Sequence, residues 1–262
     1  MQNESIINLQ SVYYKINNKI LINDISFNVE AGDMTCIIGP NGSGKSTLIK
    51  LITGELKETS GNIFFKNKKI EDWEPIKLAS QRAVLPQSNH LSFPFSVLDI
   101  VKMGRYPIKN SSIKSDNQIC KEIIDIFDLN DHINQNYTTL SGGEKQRVQL
   151  ARVFAQIWSY DDYKEKVLII DEPTSYLDIN HQYALFNFLK KINKKGLTIL
   201  MVLHDLNQAI ANSNKIIMLK NASLVDYSKT NQIINTKKLD EVFNVKLKLI
   251  QNGEKNNPLI TY

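Results

Sequence analysis

The sequence predicts an α/β fold with a parallel sheet, an antiparallel β element near the N-terminus, and a mostly helical segment inserted at about 88–160. Three observations predict it. Short continuous apolar runs at Met34–Ile38, Val167–Ile170 and Leu197–Leu203 have the character of parallel strands covered on both faces. Near the N-terminus, Ile25, Phe27 and Val29 alternate with Asp24, Ser26 and Asn28, the period of a half-buried strand. Within 88–160, Ser115 with Gln118 and Ser141 with Glu144 make two capping-box patterns, each followed by apolar residues at helical spacing.

Taken in order, residues 6–12 and 20–29 read as strands joined by a turn at Asn17-Asn18. Leu48-Ile49-Lys50-Leu51-Ile52 reads as an opening helix. Gly54 and Gly61 punctuate a return to strand at Ile63-Phe64-Phe65, and Lys66-Asn67-Lys68-Lys69 is a solvated hairpin tip. Ser115 caps a helix carrying Ile119, Ile123, Ile126 and Phe127, and Ser141 caps one running to about Trp158. Beyond Lys215, strands at Ile216–Leu219 and Leu224–Tyr227 precede a polar helical stretch, and the tail alternates at Val245, Leu247 and Leu249. No repeat, low-complexity tract or linker interrupts the chain. Residues 1–262 read as one domain, with 88–160 as its helical subdomain.

With 262 residues, 42% of them apolar and 23% charged, the chain is long enough for a substantial core and ordinary for a globular protein. The formal charge of +5 comes almost wholly from lysine, since Arg82, Arg105, Arg147 and Arg152 are the only arginines. Scattered lysine is a solvated surface, and no nucleic-acid motif accompanies it. Cys36 and Cys120 are isolated, so they give neither a disulfide framework nor a metal cluster, and they fit a reducing compartment. Met1–Ser5 lacks the basic and apolar segments of a signal peptide, and the longest apolar run is too short to span a bilayer. A role at a membrane would require docking by other proteins.

The chemistry is concentrated in Gly39-Pro40-Asn41-Gly42-Ser43-Gly44-Lys45-Ser46-Thr47, which lies between an apolar run and the opening helix. Strand, glycine-rich turn and helix together make a phosphate site, because glycine lets backbone approach an anion and the first helical amides point at it unpaired. Lys45 would reach the β- and γ-phosphates of ATP, and the Ser46 hydroxyl would coordinate Mg2+. Asp171-Glu172, after four apolar residues, supplies a metal carboxylate at Asp171 and, at Glu172, a group to orient or deprotonate the attacking water. Ser141-Gly142-Gly143 at a helix N-terminus is a second anion site. Two phosphate-binding termini with one P-loop are reconciled by two copies head to tail, each holding ATP between its own P-loop and the partner's Ser141 helix.

On these residues the chain resembles the nucleotide-binding subunits of ABC (ATP-binding cassette) transporters, in order and over nearly its whole length. The resemblance implies a P-loop NTPase core of the RecA-like type, working as a homodimer. It implies that Tyr14 stacks on adenine, with Tyr13 as the alternative, and that Gln87 senses magnesium and the γ-phosphate. It implies that His204 contacts the γ-phosphate, and that Ser175-Tyr176-Leu177-Asp178 crosses the dimer interface, with Tyr176 where alanine is common.

Residues Arg82–Gln87, Leu91–Val97 and Met103–Pro107 resemble iron-chelate importer ATPases, especially those for haemin, and so do Leu150–Trp158, Ser159–Lys166 and Leu203–Asn207. That group implies a transmembrane permease dimer, an extracytoplasmic haemin-binding protein and a peripheral place on the cytoplasmic face of the inner membrane. Ferric-siderophore or cobalamin import, or a soluble ABC ATPase acting on ribosomes or DNA, are the alternatives. Phe93-Pro94-Phe95 is a stiff apolar protrusion suited to a permease helix. His90, His132 and His181 lie in polar stretches unlike a haem pocket.

Overall fold

The computed structural model describes residues 5–87, 91–109, 111–160, 162–233, 236–250 and 259–261. They fall into two compact units, residues 1–73 with 198–262, and residues 74–197.

The first unit opens with β1 (Ser5–Ile16) and β2 (Lys19–Glu30), then β3 (Met34–Ile38), α1 (Lys45–Ile52), β4 (Ser60–Phe65) and β5 (Lys68–Lys69). β1 and β2 pair antiparallel with Leu9 opposite Phe27, and β4 adds on the other side with Ile63 opposite Leu9. Their inward residues, Ile7, Leu9, Ile25, Val29 and Ile63, are buried, as the period of two requires. The tip between β4 and β5 is narrower than the lysine run suggested. Lys66 and Asn67 alone turn, both at positive φ, while Lys68 and Lys69 pair with Phe65 and Phe64. A two-residue turn with both φ positive matches the right-handed twist of its strands.

The second unit contains α2 (Pro75–Gln81), β6 (Arg82–Leu85), α3 (Val97–Met103), α4 (Ile113–Ile126), α5 (Gly142–Ile157), β7 (Val167–Asp171) and α6 (Ile179–Asn193). β6 and β7 run parallel, with Leu85 beside Ile170. α4 begins earlier than its sequence pattern indicated. Ser112, not Ser115, is the cap, its hydroxyl accepting from the Ser115 amide, so Ser115 lies inside the first turn. The capping box of α5 stands as read.

Buried polar ties fix these helices. Arg105 pairs with Asp116 of α4 at 2.7 Å and donates to the Ala155 carbonyl of α5 at 2.7 Å. Gly104 beside it permits the close approach, since a Cβ there would lie 2.1 Å from the Arg152 carbonyl oxygen. Gln156 of α5 donates to the carbonyls of Ala79 and Arg82, holding α5 against the start of β6. Phe127, Phe154 and Phe188 pack ring on ring between α4, α5 and α6.

The chain then returns to the first unit through β8 (Thr198–Val202), α7 (Leu206–Ala211), β9 (Lys215–Lys220), β10 (Ser223–Lys229), α8 (Thr230–Ile233), α9 (Thr236–Phe243), β11 (Lys248–Ile250) and β12 (Leu259–Thr261). β3 lies between β8 and β9 and is parallel to both, and β10 continues from β9 as a hairpin. Every residue of β3, β7 and β8 is buried. That is why they read as unbroken apolar runs. Cys36 sits inside β3 and Cys120 inside α4. Burial pushes the Cys36 thiol up and the Cys120 thiol up to about 11, so both are inert small side chains. No described helix is long and apolar enough to cross a membrane.

Candidate functional site

In the first unit, β3 delivers the Gly39–Thr47 loop to the N-terminus of α1. The helix starts at Lys45, three residues before the apolar stretch that announced it, so Lys45 and Ser46 occupy its first turn. No acidic residue stands in that turn, and the helix dipole there is left for an anion. The loop is close-packed. A Cβ on Gly39 would come within 2.3 Å of the Leu219 carbonyl oxygen and 2.7 Å of Ser43 Oγ, and one on Gly44 within 2.8 Å of the Leu21 carbonyl oxygen. Lys45 is buried and folds back over the loop, its Nζ donating to the carbonyls of Gly39 at 2.8 Å and Pro40 at 3.1 Å. The buried Ser43 hydroxyl has no hydrogen-bond partner among the described residues. An ammonium held on backbone carbonyls and a lone buried hydroxyl inside one loop fit a phosphate group.

His204 belongs to the same unit and the same strand ends. Ile37 of β3 lies beside Val202 of β8, so Gly39 and His204 each follow two residues beyond the paired position. His204 is exposed there, and Asp205 caps α7 behind it through the Gln208 amide.

In the second unit the same construction recurs. Leu85 lies beside Ile170, and Gln87 and Glu172 each follow two residues on. Their side chains meet: Gln87 Nε2 donates to Glu172 Oε1 at 2.7 Å. A carboxylate only accepts, so this bond commits the Gln87 amino group to Glu172 and aims its carbonyl oxygen elsewhere. Glu172 stands at φ 52, a left-handed conformation that turns the chain off β7, and its other oxygen lies 3.4 Å from Ser175 Oγ. Asp171, the last residue of β7, is buried.

A third set, also in the second unit, surrounds the start of α5. Ser141 Oγ accepts from the Glu144 amide, and the Glu144 carboxylate accepts from the Ser141 amide at 2.7 Å. Ser141 and Gly142 are exposed. Gly142 and Gly143 lie against Tyr176: a Cβ on Gly143 would be 2.9 Å from the Tyr176 carbonyl oxygen.

A family model described as "ABC transporter" matches residues 22–175. The chain belongs to the ABC transporter family. It is 34% identical over 256 residues to the hemin import ATP-binding protein HmuV of Escherichia coli O157:H7, covering 97% of this chain and 98% of that one. Among solved structures it resembles a transporter described as of metal-chelate type in an inward-facing conformation. There the TM-score is 0.79 at 24% identity, over 98% of this chain and 97% of that one. It also resembles the dimeric structure of a bacterial ABC transporter cassette, with a TM-score of 0.74 at 27% identity over 86% and 98% of the two chains. As a member of this family the chain is a transporter ATPase.

Within this ABC protein the tyrosine pair is distinguishable. Tyr13 hydrogen-bonds the Asp24 carboxylate, and desolvation together with that carboxylate raises its phenol above the ordinary value. Tyr14 pairs across β2 with Ile22 and is half-buried. The other histidines are taken up locally. His181 Nδ1 lies 2.8 Å from Asp178, and His132 lies between Gln135 and Glu144. His90 lies outside the described residues. Phe93 and Phe95 are exposed, with their rings 6.2 Å apart.

Ser175, read from the sequence only as part of the interface loop, also reaches Glu172. One contributor was not singled out from the sequence: Gln146, which straps the loop after Glu172 by donating to the Pro173 carbonyl at 3.1 Å, gave no signal.

The Glu144 carboxyl is held below its usual range, first by the Ser141 amide and then by the Ser141 hydroxyl. A depressed folded-state value means this contribution is complete above the unfolded value of about 4.3 and lost as pH falls through the folded one. Glu144→Gln keeps the acceptor but removes the charge. It is expected to cost about 0.5 kcal/mol at neutral pH, with the deficit vanishing in acid. Denaturant unfolding of both proteins across pH measures this, and a deficit persisting below pH of about 3 would contradict it.

Proposed function

We propose that the chain is the ATP-hydrolysing subunit of an importer that carries haemin inward, seated on the cytoplasmic face of the membrane beneath a permease dimer. An extracytoplasmic haemin-binding protein would supply the cargo. The observation that carries the hydrolytic part is the Gln87–Glu172 bond at the ends of paired strands. It holds the carboxylate oriented, which is what a base for water needs. The cargo rests on similarity to a hemin import ATP-binding protein over nearly the full length of both chains.

In this reading Gly39, Pro40, Asn41, Gly42, Ser43 and Gly44 cradle the phosphates, and Lys45 exchanges its two carbonyl partners for β- and γ-phosphate oxygens. Tyr14 stacks on adenine, because the Tyr13 hydroxyl is already committed to Asp24. Bound Mg2+ would neutralise developing charge on the phosphates. Ser46, Asp171 and the carbonyl of Gln87 would hold it, with Thr47 beside them. Among the described residues no three His, Cys, Asp or Glu side chains cluster as a metal cage, so the donors suit a cation that also takes ligands from nucleotide and water. His204 steadies the γ-phosphate.

Neither anion site is complete alone. Ser141, Gly142 and Gly143 of one copy close on nucleotide held by the other, and the single cassette of residues 1–262, with its helical segment 88–160, transmits closure to the permease. Siderophore and cobalamin import remain the second reading, since they call for the same machinery.

Glu172→Gln is expected to bind ATP within about threefold of the native affinity while losing at least about a hundredfold in turnover. Binding rests on the P-loop, and activation of water does not. Unchanged turnover would remove Glu172 from its role. For the cargo, a strain lacking this gene is expected to stop growing on haemin as sole iron source yet grow on ferric siderophores. The opposite pattern would reassign it.

A further inference from the structure

We propose that Asn207 is a positioning residue for His204, and that it works by clamping the start of α7 to the C-terminal strand β12. This rests on the role given to His204 above. The Asn207 side chain meets the backbone of Ile260 twice. Its Nδ2 donates to the Ile260 carbonyl at 3.0 Å, and the Ile260 amide donates to its Oδ1 at 2.7 Å. A carboxamide carries the same donor and acceptor as a peptide group, so Asn207 stands in for a neighbouring strand on the edge of β12. On the other edge Ile260 lies opposite Leu249 of β11, and its side chain is buried.

Asn207 stands in the first turn of α7, whose cap, Asp205, directly follows His204. His204 is exposed and lies beyond the last residue of β8, so the direction in which α7 leaves the strand sets where its imidazole can reach. A helix of six residues is too short to hold a direction by itself. Its far end is fixed to the sheet: Ser213 Oγ donates to the Ala209 carbonyl at 2.6 Å, and Asn214 Oδ1 accepts from the Met34 amide of β3 at 2.9 Å. The Asn207 clamp fixes the end beside His204. Its anchor is firm, because the Leu247 amide ahead of β11 donates to Asp240 of α9 at 2.7 Å. Helix α9 is tied to β10 by the Lys238–Asp226 ion pair and to β9 by Lys220, which donates to the Glu241 carbonyl. Strand β9 pairs with β3, which delivers the P-loop. The C-terminal segment therefore braces His204 against the sheet that carries the phosphate site, all within the first unit.

The test compares full-length Asn207→Ala and Ile260→Pro with the parent in steady-state ATP hydrolysis and equilibrium ATP binding, at a temperature where circular dichroism finds all three folded. Alanine removes both bonds of the clamp. Proline removes the amide that donates to Asn207, which points away from β11, and an edge strand tolerates it. Each variant is expected to lower kcat at least about fivefold, with KM and ATP affinity unchanged, the pattern of a group misplaced only for the chemical step. A merely structural clamp would lower the melting temperature and leave kcat alone. Full turnover in either variant overturns the proposal, whatever its melting temperature, since each breaks the same clamp; so does a loss of ATP affinity that matches the loss of turnover. His204→Ala, assayed alongside, separates this from the reading beneath it. If that variant keeps the parent's turnover, the role of His204 falls and the clamp with it; if it loses turnover while the clamp variants keep theirs, the clamp alone falls.

Discussion

Strand register is the constraint on which the rest of the site depends. In β3 and β8, and again in β6 and β7, a paired apolar position is followed two residues later by a residue assigned to chemistry. A slip of one residue in any of these strands would send its buried side chains to the opposite face and its terminal residue to a different height. Full burial on both faces of β3, β7 and β8 excludes such slips there, because every alternative register leaves apolar surface unmatched. The five-residue strands are short, but all of their residues are buried. The glycine-rich turn, left-handed Glu172 and His204 can then each be irregular, because the strand behind each one is not.

The same division of labour explains what the sequence disclosed. The P-loop, the acidic pair and the capping box at Ser141 are local patterns whose chemistry and spacing coincide, so they were legible directly. β6 was not. Its four residues begin with Arg82 and carry too little pattern to stand apart from the preceding helix. α6 was missed for a related reason: its buried face is sparse, and its first turns present Ile179 and Tyr183 outward. The shift of the α4 cap from Ser115 to Ser112 shows the limit of reading caps from spacing, where several serines lie within one turn. Long-range facts, such as the Gln87–Glu172 bond and the packing of Tyr176 on two glycines, depend on tertiary placement and had no local signature.

Tyr176 shows why a departure from a family pattern rewards attention. On sequence it stands where alanine is common among the proteins the chain resembles. In the structure its carbonyl oxygen leaves no room for a Cβ on Gly143, its ring lies close against Gly142, and it joins the loop after Glu172 to the start of α5. The loop so strapped lies between Glu172 and the anion edge, all within one compact unit.

Central to the proposed function is that one chain holds only part of a catalytic centre and must borrow the serine-glycine edge of another. Steady-state ATP hydrolysis per subunit, followed while the pure protein is diluted at saturating Mg-ATP, tests this most directly. Specific activity that falls towards zero in proportion to subunit concentration is the expected result. Specific activity that stays constant down to concentrations at which ultracentrifugation finds only monomer would contradict it.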